Sequence, residues 1–275
     1  MSRPYAAARA LARHLLLLGL SVLIVAPFAW MITTSLKSFD KVHQPPYLVP
    51  EQFEWSNYPQ AWAAAPFAGY YLNSVVMAAG IVAGHLLLDT LAAYALARLR
   101  FPGRNAIFLG LVATMLVPTF LTVLPAFDLV IRFGWFNSYT ALIVPRLADV
   151  FGIVVIRGYL LSLPLELDEA ARIDGANRMQ ILFRILLPLS KPALVSVAVF
   201  SFLFAWNDFL WPLLVTSDDQ YRTIQLGLAA FTSKYGPYPH YLMAGTVIAA
   251  VPAIAIFMYL QRSLVRGLAA TAVKE

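Results

Sequence analysis

The chain has 275 residues, of which 60% are hydrophobic and only 12% charged, where a soluble domain carries about 25% charge. That deficit and the long apolar runs exclude an ordinary soluble domain and point to an integral membrane protein. The absence of cysteine excludes a disulfide framework, a thiolate metal site and a cysteine nucleophile. The net charge of +6 would suit nucleic acid, but the positions of the positive residues relate to a membrane instead.

Residues 1–14 carry Arg3, Arg9 and Arg13 and read as a short cytoplasmic segment. A first span follows at Leu15–Thr34; it is long, contains Pro27 and lacks a small-x-small cleavage site, so an uncleaved span is expected rather than a signal peptide. Residues 35–70 are polar and hold Pro45, Pro46, Pro50 and Pro59, which reads as an external loop with short structure at best. A five-span core is expected over 71–260, with spans at Tyr71–Ala97, Ala106–Leu124, Tyr139–Leu160, Pro192–Leu214 and Leu242–Leu260. Residues 161–191 and 215–241 are polar connections, and 261–275 form a C-terminal tail. The expected fold class is an all-α membrane protein with six transmembrane helices.

Orientation follows from Lys and Arg. With the N-terminus in the cytoplasm, 14 of the 20 positives fall inside. Lys37, Lys41, Arg132, Arg146, Arg222 and Lys234 fall outside or near outer ends. All six tryptophans also fall on the outer side, at Trp30, Trp55, Trp62, Trp135, Trp206 and Trp211. An interfacial aromatic belt accounts for that better than stacking on sugar.

The polar stretch between spans four and five has its own pattern. Pro164 suits a first helical turn after a cap at Ser162 or Leu163, and Glu166, Asp168 and Glu169 suit the positive end of the helix dipole. Gly175 suits the residue that ends such a helix. From Asn177 to Leu187, Ile181 and Ile185 fall at i,i+4 with Leu182 and Leu186 beside them, so a second, amphipathic helix is expected before Pro188 and Pro192 turn the chain into span five. These charges cannot lie in hydrocarbon. Physical chemistry leaves two readings open: a connector floating on lipid headgroups, or a surface that docks on another protein through Ala170, Ala171, Gly175 and Ala176.

Three other groups carry polar chemistry. Trp206, Asn207 and Asp208 lie in span five, and Asn73 and Ser74 open span two; as polar residues at membrane depth they are candidates for a translocation path. His85 and Asp89, four apart in span two, read as satisfied against another helix rather than as a proton relay. Arg146 and Asp149 flank the start of span four and could pair with a neighbouring subunit. No lysine follows a glycine, so no P-loop is present and the chain does not bind ATP in that way. No cluster has metal-ligand spacing, and no catalytic constellation is visible.

The stretch Glu169–Pro188, EAARIDGANRMQILFRILLP, spells E-A-A, three residues, G, nine residues, I-x-L-P. In this it resembles the signature loop of permease subunits of ABC importers. LNSVV at Leu72–Val76, AAYALARLRFPGR at Ala92–Arg104, FSFLFAWNDFLWPLL at Phe200–Leu214 and LQRSLVRGL at Leu260–Leu268 extend the resemblance to the maltose-type carbohydrate permeases, in particular their smaller six-span partner. The tail departs: Thr271–Glu275 stands where that family commonly ends in Gly-Ala-Val-Lys-Gly. The resemblance implies a type I importer architecture in the bacterial cytoplasmic membrane, with both termini cytoplasmic and a cytoplasmic coupling helix. That helix, with Glu169, Ala170, Ala171, Asp174, Gly175, Ile185 and Pro188 as its ATPase-coupling residues, would dock on a separate ATPase. The implied partners are a second permease in a heterodimer, two ATPase subunits, an external solute-binding protein contacting the 215–241 loop, and membrane lipid. ATP and magnesium would belong to the ATPase subunits, with no cofactor in this chain. The implied cargo is a sugar, an oligosaccharide or a sugar-like solute such as a glycerophosphodiester or amino sugar. An ion-coupled secondary transporter without an ATPase partner is the alternative.

Overall fold

The computed structural model describes the backbone at residues 3–45, 48–235 and 238–272, and side chains there except at 3–8, 230, 232–235 and 261–272. Pro46 and the tail residues Val273, Lys274 and Glu275 lie outside the described residues. Among the described residues every regular element is helical. The chain divides into two compact units, Met1–Phe67 with Leu228–Val251 and Ala68–Gly227 with Pro252–Glu275.

In the first unit, α1 (Arg3–Ser35) is apolar enough to cross a membrane from Arg9 to Ser35. The following segment folds back on its end. Asn57 opens α2 (Asn57–Ala64), and its amide donates to the carbonyls of Ser35 at 2.9 Å and Lys37 at 2.8 Å. These carbonyls are orphaned where the helix ends. The polar 35–70 stretch therefore carries a short helix that caps α1.

In span two, α3 (Phe67–Gly84) passes through a π-helical turn at His85–Asp89 into α4 (Thr90–Arg98). Span three is α5 (Arg104–Thr114) and α6 (Thr119–Arg132), bent by 98°. Span four is α7 (Tyr139–Ile143), a 3₁₀ turn at Val144–Arg146 and α8 (Val150–Ser162), bent by 43°. The signature loop supplies α9 (Glu166–Ile173), α10 (Arg178–Gln180), a π-helical turn at Ile181–Leu186 and α11 (Leu187–Leu189). An 80° bend leads into α12 (Lys191–Asn207), followed by α13 (Leu210–Val215) and α14 (Ile224–Tyr235). The last helix, α15 (Pro239–Ala272), is apolar enough to cross a membrane from Pro239 to Leu260. Among the described residues three helices are long and apolar enough to cross singly, two bent pairs form spans three and four, and in the third bent pair α10–α11 belong to the signature loop while α12 opens span five.

Three expected spans differ in kind from the observed ones, Tyr139–Leu160 among them because it straddles the bend between Arg146 and Val150. Ala106–Leu124 straddles the break before Pro118, which has no N–H to donate and disfavours helix at the residue before it. Pro192–Leu214 straddles a second break at Asp208–Phe209.

The core of the second unit lies between α4 and α8. Ala93, Tyr94, Leu96 and Ala97 meet Ile153, Ile156 and Leu160, and Ala171, Ile181, Leu182 and Leu186 from the signature loop join the same cluster. Close approach elsewhere depends on missing side chains. A Cβ on Gly84 would stand 2.6 Å from Leu147 Cδ2 and 2.7 Å from its carbonyl oxygen, and one on Gly152 would collide with the Asp89 carboxylate.

Candidate functional site

The signature loop folds as two helices around a left-handed glycine. Gly175 has φ +82°. Its N–H donates to Arg172 O at 3.0 Å, and Ala176 N–H reaches back to Ala171 O at 2.9 Å. This pair of bonds is a Schellman cap. The start of α9 differs from the expected one: the helix begins at Glu166, not at Pro164, and no side chain caps it. Glu166, Asp168 and Glu169 still occupy its first turn, where the helix dipole favours them. Asn177 and Gln180 then form a reciprocal capping box, at 2.9 and 2.8 Å, that starts the next helix.

The two faces of α9 have different partners. Asp168 and Ala171 are buried against the body of the unit, whereas Leu165, Glu169 and Ala170 are exposed and Ile173 is 86% exposed. Asp174, Gly175 and Pro188 are also exposed, and Ile185 is half-buried. One expectation changes here. Ala171 is spent on internal packing, so it is not free to receive another surface. Of the expected apolar stripe, Ile181, Leu182 and Leu186 are buried and Ile185 packs half-buried against the same cluster, the π turn adding a residue to the helical repeat. This packing is that of a loop anchored on the body of its unit.

A second polar group lies where spans two, four and five are irregular. His85 Nε2 donates to the Arg146 carbonyl at 2.9 Å, and its Nδ1 lies 2.6 Å from Ser201 Oγ. Asp89 Oδ1 accepts the Asp149 N–H at 3.0 Å. Arg146 pairs with Asp208 at 3.1 Å and sits over the rings of Phe204, at 5.0 Å, and Trp211, at 5.5 Å. Arg146 is thus paired within the chain and not held over for a neighbouring subunit, whereas Asp149 engages only its backbone N–H and leaves its carboxylate exposed. Trp206 and Trp211 are 1% and 2% exposed, so these two are core side chains rather than members of an interfacial belt. Asn73 is buried and donates to Gln220 O and Arg222 O, both at 2.9 Å; Ser74 accepts the Ile224 N–H at 2.8 Å. Asn207, by contrast, is exposed.

Residues 89–270 match the family model described as binding-protein-dependent transport system inner membrane component. The chain belongs to this family. Among its relatives, the diacetylchitobiose uptake system permease protein NgcG of Streptomyces coelicolor is 33% identical, over 91% of this chain and 84% of that protein. The sn-glycerol-3-phosphate transport system permease protein UgpE of Yersinia enterocolitica is also 33% identical, over 92% of this chain and 93% of that protein. The fold matches a chain in the crystal structure of a bacterial ABC transporter involved in the import of the acidic polysaccharide alginate. That match has a TM-score of 0.84 at 22% identity and covers 95% of this chain and 98% of the other.

Membership of the binding-protein-dependent family makes the protein an inner-membrane permease, and its type I helical architecture carries the signature loop between spans four and five. Sequence reasoning missed the ties behind that loop. Arg98 and Asp168 form an ion pair at 3.5 Å with side chains 2% and 5% exposed. Arg98 had been counted only as an inside positive, and Asp168 only as a dipole partner. The available signal was spacing: Asp168 and Ala171 are three apart and share the inward face of a helix whose Glu169 points away.

Proposed function

We propose that this chain is one of two membrane subunits of an ATP-driven importer that moves a sugar, oligosaccharide or sugar-like solute into the cytoplasm by alternating access. The observation that carries this reading is α9, an anchored eight-residue helix with its outer face left bare at Leu165, Glu169 and Ile173. An exposed isoleucine beside a carboxylate suits a cleft on a separate motor subunit better than open cytoplasm. Glu169 supplies the charge at that contact, Gly175 and Asp174 the turn, Ala170 the room for approach, and Ile185 and Pro188 the backing that fixes the loop.

The remaining parts of the assembly follow from the family and from the named relatives. Binding-protein dependence supports an external solute-binding protein, with the 215–241 segment as its contact. Permease relatives for diacetylchitobiose and sn-glycerol-3-phosphate support a glycoside or polyol-phosphate class of cargo. Hydrolysis, with ATP and magnesium, belongs to two ATPase subunits, and this chain is non-catalytic. The inner membrane holds it with both termini cytoplasmic. Trp206, Asn207, Asp208, Asn73 and Ser74 form the path or its frame; Asn207 contributes the exposed amide and the others hold the surrounding helices.

The test is capture of the ATPase. Co-expressed with its cognate ATPase and second permease, the wild-type chain should carry the ATPase through purification. Ile173→Asp should reduce that capture at least tenfold while leaving the pairing of the two permeases intact. Equal capture by wild type and variant would remove α9 from the interface.

A further inference from the structure

The outer face of α9 meets the motor in the reading above, and this inference rests on that reading. It concerns the inner face. Arg98 is the last residue of α4, and its guanidinium holds the connection between α8 and α9 at two points. Nη2 donates to the Leu163 carbonyl at 3.0 Å, and Nη1 lies 3.5 Å from Asp168 Oδ2 in the first turn of α9. Both side chains are almost wholly buried. We propose that Arg98 and Asp168 are positioning residues that transmit the displacement of α9 into span two.

Three observations carry this. Asp168 faces inward, away from Glu169 and Ile173, so its charge serves this chain and not the docking face. Burying a charge pair gains little stability over an apolar pair of the same volume, so the ionic form is explained poorly by folding alone. The pair is also slack. At 3.5 Å the ions attract without a hydrogen bond, and Arg98 Nε and both Asp168 oxygens have no hydrogen-bond partner. Charge-assisted bonds settle at about 2.7–2.9 Å, so a shift of α9 by under an ångström decides whether the pair is also hydrogen-bonded. From Arg98 the path is covalent and helical: α4 runs through the π turn at His85–Asp89 into α3. Span two therefore receives the motion directly, in parallel with span five.

The chain lacks cysteine, which makes a single reporter site straightforward. Ala83 is exposed on α3. In the complete complex, an environment-sensitive fluorophore on Ala83→Cys should respond to magnesium-ATP with vanadate. Arg98→Gln and Asp168→Asn should each reduce that response at least fivefold while ATP hydrolysis stays within twofold of wild type. If Arg98→Gln does not assemble, Arg98→Lys and Asp168→Asn are read by the same criterion. A responsive wild type with unaffected variants, or a response and hydrolysis that fall together, overturns the proposal alone. A wild-type complex without any ATP response overturns the reading of the loop as well.

Discussion

Gly175 illustrates a residue whose importance is conformational rather than steric. Its φ of +82° is in the left-handed region, yet a Cβ there would meet nothing within 4 Å. A β-branched side chain thus costs about 1–2 kcal/mol in backbone strain and no clash. Asparagine tolerates the left-handed region better than other non-glycine residues. In proteoliposomes, Gly175→Val should raise the ATP hydrolysed per solute imported, and Gly175→Asn should do so markedly less. Equal effects of the two would mean that space, not conformation, is what the glycine provides. The residues of the loop were legible from sequence because their signals are local: a first turn of acids, a glycine stop and an apolar stripe at i,i+4. Arg98 and Asp168 were not, since the signal joining them spans 70 positions and neither belongs to a local pattern.

At the scale of elements, the six apolar stretches were visible and their breaks were only partly so. A window of about 20 residues averages hydropathy, so four non-helical residues before Thr119 disappear into it. Pro118 marks that break in advance. The π turns at His85–Asp89 and Ile181–Leu186 leave no such mark, because they arise from a shift of backbone partner and not from composition. The breaks in spans four and five are joined by Arg146 and Asp208, with side chains 16% and 9% exposed. Removing one partner of a buried pair leaves an uncompensated charge and costs about 3–5 kcal/mol; the rings of Phe204 and Trp211 offset part of this for Arg146. Asp208→Asn should therefore lower the thermal midpoint of the purified permease clearly. The double change Arg146→Met with Asp208→Leu should recover most of the loss. A double variant as unstable as the single one would show that the pair itself, not the stranded charge, sets the stability.

For the whole molecule, orientation decides whether the signature loop can meet a motor at all. The sequence places 14 of 20 positives on the loop's side of the membrane, the asymmetry expected of the cytoplasmic side. The structure shows how four of the outer positives are accommodated: Lys41 pairs with Glu51, Arg132 with Asp128, Arg146 with Asp208 and Arg222 with Asp219. Each outer positive of this group is matched within its own neighbourhood and does not need the cytoplasmic leaflet. On the loop's side Arg100, Arg104, Arg172 and Arg178 line one open cleft together with Arg98, Asp168 and Glu169. Reporter fusions turn this into a measurement. A reporter active only in the cytoplasm should be active after Ala176 and silent after Ser217, and one active only outside should give the opposite pattern. Inverted signals at both sites would place α9 outside the cell, away from any ATPase, and would dismantle the proposed importer whatever the fold resembles. Matching signals would leave the bare face of α9 in the one compartment where ATP is available to a partner.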